Sequence, residues 1–170
     1  MNEKRPDLPE PERKHIAEIV AVGAIKFNDL SQNRTKDIVF DWDKMLSFEG
    51  NTAPYLQYSY ARVKSILRKA QVEPEYSPGL LKEEQEKAVI LTLAKFPEVL
   101  IRSAQEFAPH ILAQYLLDTA RTFTTFYSDI TVLNNDDEKL TRARLGLVQA
   151  YADIIRQGLA ILGIDVLERM

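Results

Sequence analysis

Residues 40–70, FDWDKMLSFEGNTAPYLQYSYARVKSILRKA, set a charged aromatic turn (Phe40, Asp41, Trp42, Asp43) before a break at Gly50 and Asn51, then a run of tyrosines and cations. Asp41 suits the N-cap of a brief helix through Ser47, because a short carboxylate accepts from the unpaired N–H groups of a first turn. Gly50 and Asn51 end that helix, Thr52 caps the next, and Pro54 fits its first turn, where a missing N–H costs nothing. The predicted helix runs to about Ala70. On a wheel of about 100° per residue, Leu56, Tyr60, Val63 and Leu67 fall on one side, the stripe that faces a core. Tyr55, Tyr58, Arg62, Ser65 and Lys69 fall on a neighbouring stripe. Rings followed by cations along one exposed line suit single-stranded RNA: rings stack on unpaired bases at about 1–3 kcal/mol each, and cations meet phosphates. The same spacing suits tyrosines half-buried between helices with wet hydroxyls, and spacing alone favours that second reading.

Outward from this stretch the pattern stays helical. Towards the N-terminus, Ile16, Ile19, Val20, Ala24 and Phe27 recur at helical spacing after Pro11, closing near Leu30 before the polar loop SQNRTKD. Ile38, Val39 and Phe40 form a short β-prone patch. Towards the C-terminus, a loop with Pro74, Pro78 and Gly79 precedes a helix through Lys95 and a shorter one after Pro97. Pro109 opens a long helix through Asp129, with Leu112, Tyr115, Leu116, Ala120, Phe123 and Tyr127 recurring along it. The loop NNDD supplies caps for a last helix, where Leu140, Leu147, Tyr151, Ile154 and Leu162 recur and Gly163 is the stop. Nothing beyond residues 38–40 favours strands. The expected fold is all-α, an antiparallel helical bundle with a smaller helical N-terminal segment, divided as 1–49 and 50–170.

Bulk properties narrow the function. The 170 residues suffice for one core, and 45% hydrophobic with 28% charged residues fit an ordered globular chain. No apolar run approaches the roughly 20 residues of a membrane span, and the start, MNEKRPDLPEPERK, lacks the apolar core of a secretory signal. Zero cysteines exclude disulfides, thiolate metal sites and cysteine catalysis, and fit a cytoplasmic location. A net charge of −3 argues against a broad basic field for nucleic acid but leaves room for a local stripe of Arg and Lys.

Gly50-Asn51-Thr52-Ala53-Pro54-Tyr55-Leu56-Gln57-Tyr58 and the closing LGIDVLERM resemble the arginyl-tRNA synthetases of class I. In that family a GNT-(A/G)-PYLQY motif opens the anticodon-binding, DALR-type region. The resemblance implies an anticodon-binding helical bundle with arginine tRNA as partner. It makes Tyr55 and Tyr58 the leading contacts to anticodon-loop bases and Arg62 a phosphate or base contact nearby. Lys69 ends the same line, Tyr127 matches a family tyrosine near the anticodon, and Met170 with its carboxylate lies near the anticodon loop. Some relatives carry an aromatic where this chain has Thr131, so no base-stacking role carries over there; Phe123 and Phe126 read as core. By the same resemblance ATP and arginine belong to a catalytic domain absent from this chain, which needs no cofactor of its own and should be inactive alone. A start in the middle of the family pattern suggests a fragment, whose further partner is its own catalytic domain.

Other motifs weigh less. Lys44-Met45-Leu46-Ser47 looks like the class I signature KMSKS but stands downstream of that signature's place, and His15-Ile16-Ala17-Glu18 is not HIGH. His15 and His110 lack metal-ligand spacing, so no metal is expected. Asp41 and Asp43 read as capping residues rather than an acid/base pair. Arg142, Arg144 and Arg156 on the last helix read as a solvated face that could also touch tRNA. A free-standing helical protein-interaction adaptor is the alternative; it would keep the core stripe and lose the tyrosine–arginine line, whereas Tyr55, Tyr58, Arg62 and Tyr127 are all present. A self-contained helical enzyme would need a metal or nucleophile set that the sequence does not supply.

Overall fold

Each helix begins where a capping side chain or a proline accommodates the first N–H groups. The computed structural model describes residues 9–37, 39–133 and 136–170. Among them α1 (Glu10–Leu30), α2 (Trp42–Met45), α3 (Ala53–Lys69), α4 (Glu84–Ala94), α5 (Phe96–Gln105), α6 (Pro109–Asp129) and α7 (Glu138–Ile161) follow in order, with a 3₁₀ turn at Pro78–Leu80. Asp41 accepts from the Lys44 N–H at 3.1 Å, and Thr52 from the Tyr55 N–H at 3.1 Å. At the start of α4 the Glu86 carboxylate reaches back to the Glu83 N–H at 2.9 Å. Asp137 takes the N–H groups of Lys139 and Leu140. There is no strand among the described residues, so the fold is all-α. Ile38 lies outside them, and Val39 and Phe40, expected to be β-prone, form exposed loop.

The helices close around one buried cluster that includes Leu56, Val63, Leu112, Leu116, Phe126, Tyr151 and Ile155. α3 packs on α1, α6 and α7, while α4 and α5 pack on α6. Phe27 of α1 joins the same cluster. α3 is buried on more sides than a single stripe predicts: Gln57, Ser59, Ala61 and Ile66 are buried beside Leu56, Tyr60 and Val63. Three neighbouring helices enclose it, and its polar members are met inside; the Ser59 and Tyr151 hydroxyls stand 2.6 Å apart. Phe123 and Phe126 are core, as expected, and Phe123 stacks on Tyr151 with ring centroids 3.9 Å apart.

Two features of α7 shape the rest. The segment between α3 and α4 crosses it, with the Glu75 N–H donating to the Arg142 carbonyl at 3.0 Å. At Gly146 a Cβ would stand 2.2 Å from the Glu75 carbonyl oxygen, so the crossing needs a glycine. The helix then ends as predicted at Gly163 (φ +70°), in a paired cap: Gly163 N–H donates to Ala160 and Ile164 N–H to Leu159, both at 2.9 Å. That cap turns the last residues back across α1 and α3.

Candidate nucleic-acid interface

The wheel reading of α3 leaves two fates open for its tyrosines, and the structure gives one of them to each. Tyr55 is half-buried between helices, its hydroxyl 3.4 Å from the Thr124 hydroxyl of α6. Tyr58 is 48% exposed, its ring edge-on to Phe48 with centroids 6.2 Å apart. A ring with one face open to solvent can accept a base; a ring clasped between helices serves packing first.

Arg62, one turn on, is exposed and lies over Tyr127 of α6, its Cζ 4.8 Å from the ring centroid. Tyr127 in turn stacks on Phe123, centroids 6.3 Å apart and planes 15° from parallel. The core stack Tyr151–Phe123–Tyr127 therefore runs outward to a guanidinium at the surface. This arrangement holds Arg62 in place without consuming its hydrogen-bond donors, which stay available to a phosphate or a base edge.

The C-terminal tail completes the other wall. Arg68 donates to the Glu168 carbonyl at 3.1 Å, and Lys64 Nζ stands 3.3 Å from the Glu168 carboxylate. These contacts lay residues 169 and 170 beside α3. Tyr58, Ala61, Arg62, Ser65, Arg68, Arg169 and Met170 then line one groove of about 290 Å³. It gathers an exposed ring, three guanidiniums, of which Arg68 also meets Glu168, and a methionine, on a chain whose net charge is −3. The acidic total therefore coexists with a local cationic site, as the sequence leaves room for.

Of the six residues singled out from the sequence, Tyr58, Arg62 and Met170 meet in this groove, and Tyr127 joins through Arg62. Tyr55 borders α6 nearby. Lys69 is set apart: it lines a second depression with Gln71, Leu133, Asp136 and Glu138, where carboxylates accompany it. Sequence reasoning passed over Arg68 and Arg169. Arg68 lies ten residues beyond Tyr58 on the Ala61–Ser65 side of the wheel, and only the returning tail shows that this side is the wall of a groove. Thr131 has no stacking role; its carbonyl accepts from Arg144 at 2.9 Å. Arg144 is not a solvated face residue either, because its Nε meets buried Glu86 at 2.7 Å. Arg142 and Arg156 pair with Glu138 and Asp153 on their own helix. Among the described residues no three His, Asp or Glu gather as a metal site, and no helix is long and apolar enough to cross a membrane.

Comparison with known proteins converges on one family. The model of the DALR anticodon binding domain matches residues 56–170, and that of the class I (R) tRNA synthetase catalytic domain matches residues 1–42. The arginine–tRNA ligase of Proteus mirabilis is 44% identical over all of this chain, and that of Vibrio campbellii 48% identical over 98% of it. The chain spans about 30% of the length of these curated relatives. Among solved structures, the Thermus thermophilus arginyl-tRNA synthetase matches 99% of the chain at a TM-score of 0.89 and 39% identity, with 29% of its own length covered. The Plasmodium falciparum arginyl-tRNA synthetase matches 92% at 0.82 and 31% identity, with 28% covered.

Proposed function

The chain belongs to the DALR anticodon-binding domain family, and from that premise we propose that it is the anticodon-reading module of an arginine–tRNA ligase, binding arginine tRNA through the groove between α3 and the C-terminal tail. The observation that carries this reading is the meeting of Tyr58, Arg62, Arg68, Arg169 and Met170 in one groove. An anticodon base splayed from its loop stacks on the open face of Tyr58, with Met170 packing beside it. Arg62 and the flanking arginines meet phosphates or base edges. Tyr55 and Tyr127 support this surface from the α3–α6 side, while Lys69, among carboxylates, stands outside it.

The rigid bundle then holds the tRNA so that its acceptor end reaches a catalytic half that binds ATP and arginine and carries out the arginylation, in the cytoplasm. On this reading the groove binds and positions the tRNA, and the arginylation itself takes place in that catalytic half. The adaptor alternative has no observation in its favour, since the tyrosine–arginine surface is intact.

Fluorescence anisotropy at fixed salt tests the reading, with arginine tRNA compared against the same tRNA carrying a replaced anticodon. The native anticodon is expected to bind more tightly, and Tyr58→Ala to remove about 1–3 kcal/mol, roughly 5- to 150-fold, of affinity for it. Equal affinity for both RNAs in the unsubstituted chain would sink the reading.

A further inference from the structure

Residues 164–170 leave α7 without regular secondary structure of their own, so their position has to come from other elements. Two attachments stand where the tail begins. Lys26 of α1 donates its Nζ to the Gly163 carbonyl. Gln57 of α3, fully buried, donates its amide to the Asp165 carbonyl at 2.8 Å and to the Ile19 carbonyl of α1 at 3.4 Å. One side chain thus joins α1, α3 and the tail.

The packing is built around that amide. A Cβ at Gly23 would stand 2.8 Å from Gln57 Nε2 and 3.2 Å from the Ile164 side chain, so α1 leaves this space open for it. The Gln57 Oε1 is buried without a hydrogen-bond partner. Burying an unsatisfied oxygen is unfavourable, and an apolar side chain of equal size would fill the space without that cost. What the amide supplies, and no apolar residue can, is two donors aimed at two carbonyls.

We propose that Gln57 and Lys26 are positioning residues for RNA reading: they clamp residues 163–165 onto α1 and α3, and so set where Met170 stands opposite Tyr58. The role in RNA reading rests on the groove being the anticodon site; the clamp itself does not.

Two variants test it. Gln57→Met keeps the volume and removes both donors, while Lys26→Met breaks an exposed contact and leaves the core untouched, so it reports even where the first folds poorly. Amide hydrogen exchange at Gly163 and Ile164, whose N–H groups are bonded in the cap beside the clamped carbonyls, is expected to quicken roughly tenfold or more in each, with the amides of α6 and of the middle of α7 unchanged. Anticodon preference falls as far as it does when Met170 is deleted, and combining either variant with that deletion adds nothing, because both act through the same tail. A purely structural role would instead add to the deletion. Unchanged exchange at Gly163 and Ile164 in Lys26→Met and in folded Gln57→Met overturns the clamp, whatever the RNA data. Faster exchange with anticodon preference intact overturns the positioning role. Faster exchange in a chain whose unsubstituted form shows no anticodon preference overturns the groove reading and leaves the clamp standing.

Discussion

Arg62 does two things that a single substitution separates. Over Tyr127 it contributes the modest attraction of an exposed cation–π contact, about 0.5–1 kcal/mol. Facing the groove it is a cation available to a phosphate. Arg62→Met keeps an unbranched stem over the ring and removes the charge, so thermal stability should change little. RNA affinity should fall for every anticodon alike, and the slope of log affinity against log salt should shrink by about 0.7–1. An unchanged slope, measured from titrations at several salt concentrations, would mean that Arg62 meets no phosphate and serves a base edge or the Tyr127 ring alone. Tyr58 carries a different expectation, a loss of affinity that leaves the salt slope unchanged, because stacking on a ring releases no ions. Both residues were legible in the sequence as a stripe of rings and cations. The division of labour between Tyr55 and Tyr58 was not, since it depends on Thr124 and Phe48, contributed by other segments.

Helix ends were readable for the same reason that they form: Thr52, Pro109, Asp137 and Gly163 act on backbone groups within a few residues of themselves. What joins one helix to another was not readable, and the Glu86–Arg144 pair is the clearest case. The 2.7 Å contact ties α4 to α7, and the guanidinium also reaches the Thr131 carbonyl just past the end of α6. From spacing alone Arg144 looks like one of three solvated arginines; its partner lies 58 residues away. With Glu86 fully buried, Arg144→Ala strands a carboxylate in the core, and a loss of about 3–5 kcal/mol is expected in denaturant unfolding. The double replacement Glu86→Leu with Arg144→Met should recover much of that loss, because removing both charges removes the cost of burying either. A single variant as stable as the unsubstituted chain would show that the pair is open to water in solution. The same dependence on distant sequence explains why α3 reads as one stripe and folds enclosed, and why Arg68 and Arg169 were missed: the tail that gives them a role returns from the far end of the chain.

At the scale of the whole molecule, the ionisation of Tyr151 at the centre of the core bears on how the fold meets alkali. Burial pushes the Tyr151 hydroxyl well above the ordinary tyrosine range, against a smaller opposing effect of its hydrogen bond with Ser59. The ionised form is the charged one, so the folded state holds this proton more tightly than the unfolded chain does. The contribution is fully present below the unfolded tyrosine value of about 10 and is lost as pH rises through the folded value. Above pH of about 10 the unfolded chain gives up a proton that the folded chain keeps, and unfolding free energy falls by up to about 1.4 kcal/mol per pH unit from this group. Tyr151→Phe keeps the ring against Phe123 and cannot ionise. It should be less stable at neutral pH, where the Ser59 hydroxyl loses its buried partner, yet decline less steeply above pH of about 10. Denaturant unfolding of both chains in steps from neutral to alkaline pH isolates the difference, since every other tyrosine is common to both. Parallel curves would mean that Tyr151 ionises as readily in the fold as out of it, which requires water beside Ser59 at the centre of the bundle.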